Sequence, residues 1–349
     1  MASLLDAVLA ATSANERAAP LLRRVLNAEP PSSALTHYTD QTGALGILSD
    51  RELWATHPQY LNDEEEMEYA RRVWQTAYLR LRHEWDAPGR RNTSESIQTL
   101  NLLFRRIFED TNNEPLIPVN QQIYVACFTT ETDQLSQWRG YGGSSGPPYS
   151  LSFDAKTLPN FRPLRTRPDQ AGAHEVDVNC EVRLVKVGYI PQNRAYRPIM
   201  DALDKFLGTF VPSVLLMTRR AAERELNDAA AYMRQMMGLT AAGLKNYGFR
   251  EEGEWRLVIT QDESADPPLF RPTSMGLAPY KRLVNATIVG DGSVSTHVPA
   301  PLDVTGVTQG PHPAGKLGLE AMNRVLDAYG YDIAYDDRLV KQSSISLRR

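Results

Sequence analysis

Apolar residues along this chain recur with two periods, and the switch between them marks out the elements. Residues 4–28 carry a helical pattern that Pro30 and Pro31 end. Ala34 to Thr39 is a short β-prone piece, and Asp40 is placed to cap a following short helix whose apolar residues are Leu45 and Leu48. Leu53 to Thr56 reads as a second short strand. A helix opens at Asn62 or Asp63, where Asp63 to Glu66 put negative charge in its first turn, as the helix dipole favours. Met67, Ala70, Trp74, Ala77, Tyr78 and Leu81 then recur at helical spacing. Beyond a break at Pro88–Thr93, a second stripe holds Ile97, Leu100, Phe104, Ile107 and Phe108.

Strand patterns dominate from there. Ile123 to Thr130 reads as a largely buried strand and Tyr149 to Phe153 alternates. Cys180 to Ile190 is a longer strand whose alternation changes phase, which predicts a bulge near Val185. Residues 198–237 read as one or two helices with a break at Pro212. Glu254 to Thr260 and Arg282 to Val289 are strands, Gly315 to Ala328 is helical, and Tyr331–Ala334 and Ser344–Leu347 are short closing strands. Strands broken by helices without a regular βαβ rhythm predict an α+β fold with a mainly antiparallel or mixed sheet. The expected organisation is a helical extension over 1–33 and one domain over 34–349, with helical insertions at about 63–110 and 198–240.

Composition narrows the class. Of 349 residues, 42% are hydrophobic and 23% charged, enough apolar material for a real core. The formal charge of −4 argues against a dominant electrostatic mode of nucleic-acid binding. Cys127 and Cys180 lie in apolar, strand-like surroundings and read as buried thiols, not as a disulfide framework. No apolar run approaches the ~18 residues that span a bilayer, and the N-terminus reads as an amphipathic helix, not a signal peptide. A cytoplasmic protein without a membrane partner is expected. No metal is expected either, since the six histidines are scattered and no HExxH or CxxC occurs.

Three segments carry polar chemistry inside strand-like surroundings. In the first, His37 and Thr39 point to one face of a strand and Tyr38 to the other, a pair that fits a sugar or amide and equally a strand end that caps a helix. In the second, Ser136 to Gly143, Trp138 and Tyr141 flank Arg139 among three glycines. Its arginine fits a phosphate or carboxylate and its aromatics a flat ring, or the segment is a tight loop with an internal ion pair. In the third, strand geometry extended backwards puts Glu252, Glu254 and Arg256 on one face and Trp255, Leu257 and Ile259 on the other. Two carboxylates so placed suit ribose hydroxyls and a developing positive charge, or they are a solvated face.

Together these residues resemble a widespread bacterial family of unknown function, DUF2971. Its segments correspond here to Thr36–Thr39, Leu53–Thr56 with Leu61–Asp63, Ser136–Gly142, Glu252–Val258 and the closing Ser344–Arg348. That family is in turn distantly similar to the ADP-ribosyltransferase superfamily. The resemblance implies two small split sheets around a cleft that binds NAD as substrate. It places His37 at the ribose and amide side with Thr39 in support, and makes Glu254 the catalytic glutamate with Glu252 as second member of the pair. By inference from the residues, Arg139 holds the pyrophosphate, Arg256 lines the same edge, and Trp138, Tyr141 or Tyr38 stacks on a ring. A serine-threonine-serine motif on the middle strand is absent, with Thr129, Thr130 and Ser136 nearby. The expected activity is NAD-dependent ADP-ribosyl transfer or NAD glycohydrolysis, with protein, nucleic acid or water as acceptor, which suits a toxin or phage-defence effector. A non-catalytic nucleotide-sensing module and a nucleotide or RNA-end hydrolase or phosphotransferase are the alternatives.

Overall fold

The computed structural model describes residues 31, 33–61, 64–87, 93–108, 122–141, 146–165, 176–178, 180–261, 266–273, 276–288, 294–295, 302–313, 315–331 and 340–346. The helix expected over 4–28 lies outside them. In chain order the elements are β1 (Leu35–Thr39), α1 (Gln41–Asp50), β2 (Leu53–Thr56), α2 (Glu64–Trp85), α3 (Ser94–Phe108), β3 (Gln122–Thr129) and α4 (Leu135–Tyr141). Then follow β4 (Tyr149–Phe153), β5 (Phe161–Pro163), β6 (Cys180–Lys186), β7 (Gly188–Ile190), α5 (Gln192–Leu215), α6 (Arg219–Gly243) and β8 (Leu244–Asn246). The last are β9 (Glu254–Gln261), β10 (Leu269–Thr273), β11 (Gly276–Asn285), β12 (Thr287–Ile288), β13 (Val294–Ser295), β14 (Val304–Gln309), α7 (Gly315–Ala328) and β15 (Val340–Gln342). The result is a mixed α+β fold. Its chain divides into two compact units, one of residues 1–27, 61–121 and 187–249, the other of 28–60, 122–186 and 250–349.

The first unit is mainly helical where described, with the short parallel pair β7 and β8 beside the helices. Val73, Ala77 and Leu81 on α2, Leu100, Leu103 and Ile107 on α3, Leu203, Leu207 and Val211 on α5, and Met233 and Met237 on α6 are all buried. Polar tips inside this core have partners, as buried groups require. Trp74 Nε1 donates to Thr240 Oγ1 (3.1 Å), Tyr78 OH to the Leu100 carbonyl (2.7 Å) and Trp85 Nε1 to Asp204 Oδ1 (2.6 Å). Lys245 and Glu66 form a buried ion pair at 2.8 Å. The expected break between two helices falls just beyond Pro212, at 216–218: α5 runs through both Pro198 and Pro212 to Leu215, and α6 starts at Arg219. The continuous buried stripe of α5 outweighs the two hydrogen bonds that the prolines remove.

The second unit is built on one large sheet. At its centre, β9 pairs antiparallel with β3 from Gln261↔Gln122 to Glu254↔Thr129 and with β6 from Gln261↔Cys180 to Trp255↔Lys186. Trp255, Leu257 and Ile259 turn to the core, with Leu35, Leu151, Phe153, Phe161, Leu283 and, from α1 and α7, Leu48 and Leu326. β1 pairs with β4 over five residues, and β14 and β15 continue outward. On the other side β2 pairs with β11, which carries β5 and β10. Asp40 caps α1 as expected, its Oδ1 accepting the Gly43 N–H at 2.7 Å.

Four strand expectations change. The long strand over 180–190 ends at Lys186; Gly188–Ile190 leave β9 and pair in parallel with β8, so a break replaces the bulge near Val185. The strand expected over 282–289 begins earlier, at Gly276, and stops at Asn285. The last described strand is Val340–Gln342 instead of Ser344–Leu347, because the Ser344 N–H bonds the Asp133 carboxylate, not a neighbouring strand. Tyr331 is not in a strand, and Asp332–Ala334 lie outside the described residues. Cys127 and Cys180 are half-buried thiols.

The turn into β9 rests on Gly253, whose φ of +52° is left-handed and whose added Cβ would stand 3.2 Å from Thr130 Oγ1. Gly253→Ala should therefore cost about 1–2 kcal/mol, from the left-handed backbone alone, read as a lowered urea midpoint without a changed slope.

Candidate functional site

One edge of β3 is filled by β9. The opposite edge receives two strands, each through a single residue pair: β1 at Thr36↔Thr129 and β2 at Thr56↔Val125. Both run antiparallel to β3, hence parallel to one another, and α1 links them. Their anchors lie four residues apart on β3, or about 13 Å at the rise of a strand. Between the anchors neither strand has room to pair, so the two splay and leave a wedge with Cys127 at its base.

His37 stands in that wedge. Its Nδ1 lies 2.8 Å from the Cys127 carbonyl oxygen. A carbonyl only accepts, so Nδ1 carries the proton and neutral His37 presents Nε2 as an acceptor. The side chain thus satisfies a backbone group that strand pairing leaves open. Burial holds the imidazole below its ordinary value; the bond to Cys127 opposes this, and the positive charge of Arg271 adds to it.

Across β3, β9 begins with Glu254 opposite Thr129 and places Arg256 opposite Cys127. Both side chains are buried, on the face away from Trp255 and Leu257, as alternation predicts. Arg256 Nε donates to Glu254 Oε1 at 2.7 Å and its Nη2 to Oε2 at 3.1 Å, a two-pronged bond. The row Thr36–Thr129–Glu254 spans two strand spacings, roughly 10 Å, but alternation turns His37, the next residue of β1, to the opposite face, where its ring lies 5.7 Å from that of Phe128, so the sheet does not bring His37 and Glu254 to one face. Glu252 does not share their strand. It ends the short helix Tyr247–Glu252, and the turn at Gly253 resets the alternation. Its carbonyl accepts from Thr129 Oγ1 at 2.6 Å, which keeps it beside the row.

The segment around Arg139 is a helix, not a glycine loop, with 142–145 outside the described residues. Trp138 is fully buried, its Nε1 donating to Asp133 Oδ1 (2.7 Å) and its ring meeting the edge of Tyr38 at 4.6 Å. Tyr38 is buried too, its hydroxyl donating to the Glu131 carbonyl (2.9 Å) and accepting the Gln134 N–H (3.1 Å). These two aromatics therefore pack the protein and are not open to stack on a ligand. Tyr141 is half-buried, with its ring 6.4 Å from Tyr38. Arg139 is exposed, and among the described residues no contact ties it to His37 or Glu254. Thr39 lies against the first turn of α1, its Oγ1 only 2.0 Å from where a Cβ on Gly43 would be. Asp133 also holds the chain end: Ser343 Oγ donates to its Oδ1 (2.5 Å), and the Ser344 N–H and Oγ to its Oδ2 (2.8 and 2.7 Å). Burial works against ionisation of Asp133, but these bonds and that from Trp138 outweigh it and hold the carboxyl below the usual range.

Three residues to which sequence pattern gives no site role share the face of Glu254. Through the pairs Thr56↔Val125, Tyr280↔Thr56 and Arg271↔Ala278, alternation brings Trp54, Tyr280 and Arg271 to it. Only the long-range pairing of β10, β11 and β2 assembles them. Among the described residues no group of three or more His, Cys, Asp or Glu is placed to hold a metal ion, and no helix is long and apolar enough to cross a membrane. Compared with protein-family models, with curated proteins and with solved structures, the chain matches none.

The buried charges set two measurable expectations. Arg256→Met leaves Glu254 buried without this partner and should lower stability by about 3–5 kcal/mol; adding Glu254→Gln should recover part of it, by urea unfolding. His57 is fully buried, its Nδ1 accepting the Gln59 N–H at 3.4 Å while Nε2 has no partner among the described residues, and burial pushes it down to about 4. The unfolded chain takes up that proton first, so stability is full above about pH 6.5 and falls toward pH 4, by on the order of 3 kcal/mol from this residue. His57→Gln should shrink the fall in the urea midpoint between those two pH values.

Proposed function

We propose that the wedge is a nucleotide cleft in which the nicotinamide–ribose bond of NAD is broken and ADP-ribose passes to a protein, a nucleic acid or water. The observation that carries this reading is the presence of two polar groups on the two edges of β3: His37, fixed as a neutral acceptor on the open edge, and the buried carboxylate of Glu254 at the start of the strand that fills the other. The splaying of β1 and β2 from β3 favours a split-sheet cleft of the ADP-ribosyltransferase kind. His37 Nε2 suits a ribose hydroxyl or an amide N–H. Breaking the bond builds positive charge on the ribose carbon, and an anion fixed in a site of low dielectric stabilises that charge more in the transition state than in the ground state. Arg256 holds Glu254 oriented through its two-pronged bond. Glu252, held to Thr129 by its backbone carbonyl, is the second carboxylate of the pair.

One observation favours a second reading, a nucleotide-sensing module without turnover. Arg256 engages both oxygens of Glu254, so the carboxylate already has a cationic partner.

The test is free nicotinamide measured after incubation with NAD, for the wild type, Glu254→Gln and His37→Ala. Turnover by the wild type, falling at least 100-fold in Glu254→Gln with NAD still bound, is the expected result. NAD binding without release, indifferent to Glu254→Gln, supports the sensor. Absence of both binding and release removes NAD from the cleft and raises a hydrolase or phosphotransferase acting on nucleotides or RNA ends. Release by Glu254→Gln at the wild-type rate takes that residue out of its role.

A further inference from the structure

Of the three aromatics that sequence pattern offers for ring stacking, Trp138, Tyr141 and Tyr38, two are buried. The wedge nevertheless has an open aromatic on its other wall. Trp54 on β2 is 44% exposed, although it sits in a strand whose other three residues are buried. It is not loose. Its ring lies 4.6 Å from that of Tyr280, tilted by 36°, which braces it. Arg271 stands over it, with Cζ 5.9 Å from the ring centroid.

The two arginines beside Trp54 differ in their partners. Arg282, paired across the strands with Trp54, has its Nε 3.5 Å from Glu52 Oε2. Arg271 Nη2 donates to Thr56 Oγ1 at 3.1 Å; its Nε, like that of Arg282, is buried without a hydrogen-bond partner among the described residues, but Arg271 has no carboxylate beside it there as Arg282 has. Among the described residues, Arg271 therefore meets a hydroxyl where Arg282 meets a carboxylate. A buried guanidinium nitrogen without an acceptor is costly unless something else supplies one, and a guanidinium fork matches a phosphate.

We infer that Trp54 and Arg271 form a nucleotide-holding subsite of the wedge, with Trp54 stacking on the flat ring of a base and Arg271 binding a phosphate. The subsite rests on the reading of the wedge as a nucleotide cleft and names the groups that hold the part of the ligand away from Glu254. Its position agrees with that division: Thr56, beside Trp54, pairs with Val125, which faces Val258, four residues along β9 from Glu254. That interval is about 13 Å of strand, and the charge of Arg271 is still felt at His37.

The experiment is calorimetric titration of the full chain with ADP-ribose, and separately with NAD, for the wild type, Trp54→Ala, Trp54→Phe and Arg271→Gln, with thermal midpoints recorded for each. Base–aromatic stacking predicts that Trp54→Ala weakens ADP-ribose roughly tenfold, and that Trp54→Phe restores most of the loss. Arg271→Gln should weaken ADP-ribose and reduce the salt dependence of its binding. If the wild type binds ADP-ribose and both Trp54→Ala and Arg271→Gln bind it equally well, the subsite is overturned while the cleft stands. The subsite is also overturned if Trp54→Ala lowers only the thermal midpoint, since Trp54 then serves packing alone. If the wild type binds neither ADP-ribose nor NAD, the cleft reading fails and the subsite with it.

Discussion

Two strands that run the same way cannot both pair with one stretch of a third strand's edge. β1 and β2 face this conflict on β3, and each keeps a single residue pair while the rest of its length turns away. Everything local to the wedge follows from that arrangement. α1 must span the gap between the two strands, so Asp40 starts it and the left-handed Arg51, with φ of 59°, ends it. The Cys127 carbonyl loses a strand partner, and the His37 imidazole takes that place, which fixes its tautomer. The cost of leaving backbone groups unpaired makes such a gap rare in a sheet interior, and the compensation by a side chain is what makes this one stable.

The second constraint is the burial of charge at the start of β9. Glu254 and Arg256 are each costly to desolvate, and their two-pronged bond offsets part of that cost without contributing much net stability. The pair is instead a geometric device. It holds a carboxylate at a defined height on the face opposite the hydrophobic core, one strand away from the wedge. The neighbouring turn is fastened by Thr129 Oγ1 to the Glu252 carbonyl and by Gln134 Nε2 to the Glu251 carbonyl at 2.6 Å. A second fastening runs from Asp133 to Trp138 and to the serines near the chain end. The 131–138 segment, which overlaps the start of the Ser136–Gly143 stretch that reads as a ligand loop, works as a clip between elements of the sheet unit.

Local pattern carried a good deal of this. Strands Leu53–Thr56 and Tyr149–Phe153, helix Gly315–Ala328 and the Asp40 cap are legible from alternation, helical spacing and capping chemistry, since each depends on neighbours within a few residues. The separation of Glu254 and Arg256 from Trp255 and Leu257 is legible for the same reason. Errors fell where distant partners decide. Gly188–Ile190 abandon β9 for β8, the helix break moves beyond Pro212 because a long stripe is buried, and Gly253 cuts Glu252 out of the strand.

The aromatic positions divide along the same line. Trp138 and Tyr38 carry rings beside polar neighbours and so have the composition of a ligand site, but exposure is a property of packing and both are buried. Trp54 has no polar neighbour in sequence and becomes open only because β10 and β11 bring Arg271 and Tyr280 beside it. By itself, the sequence determined the elements, the caps and the alternation that sorts charged from apolar residues on β9, because these are short-range effects of backbone geometry and side-chain type. Tertiary structure alone decided which strands compete for the edge of β3, where the sheet parts, and which polar groups meet there, because pairing between residues far apart in the chain leaves no local signal.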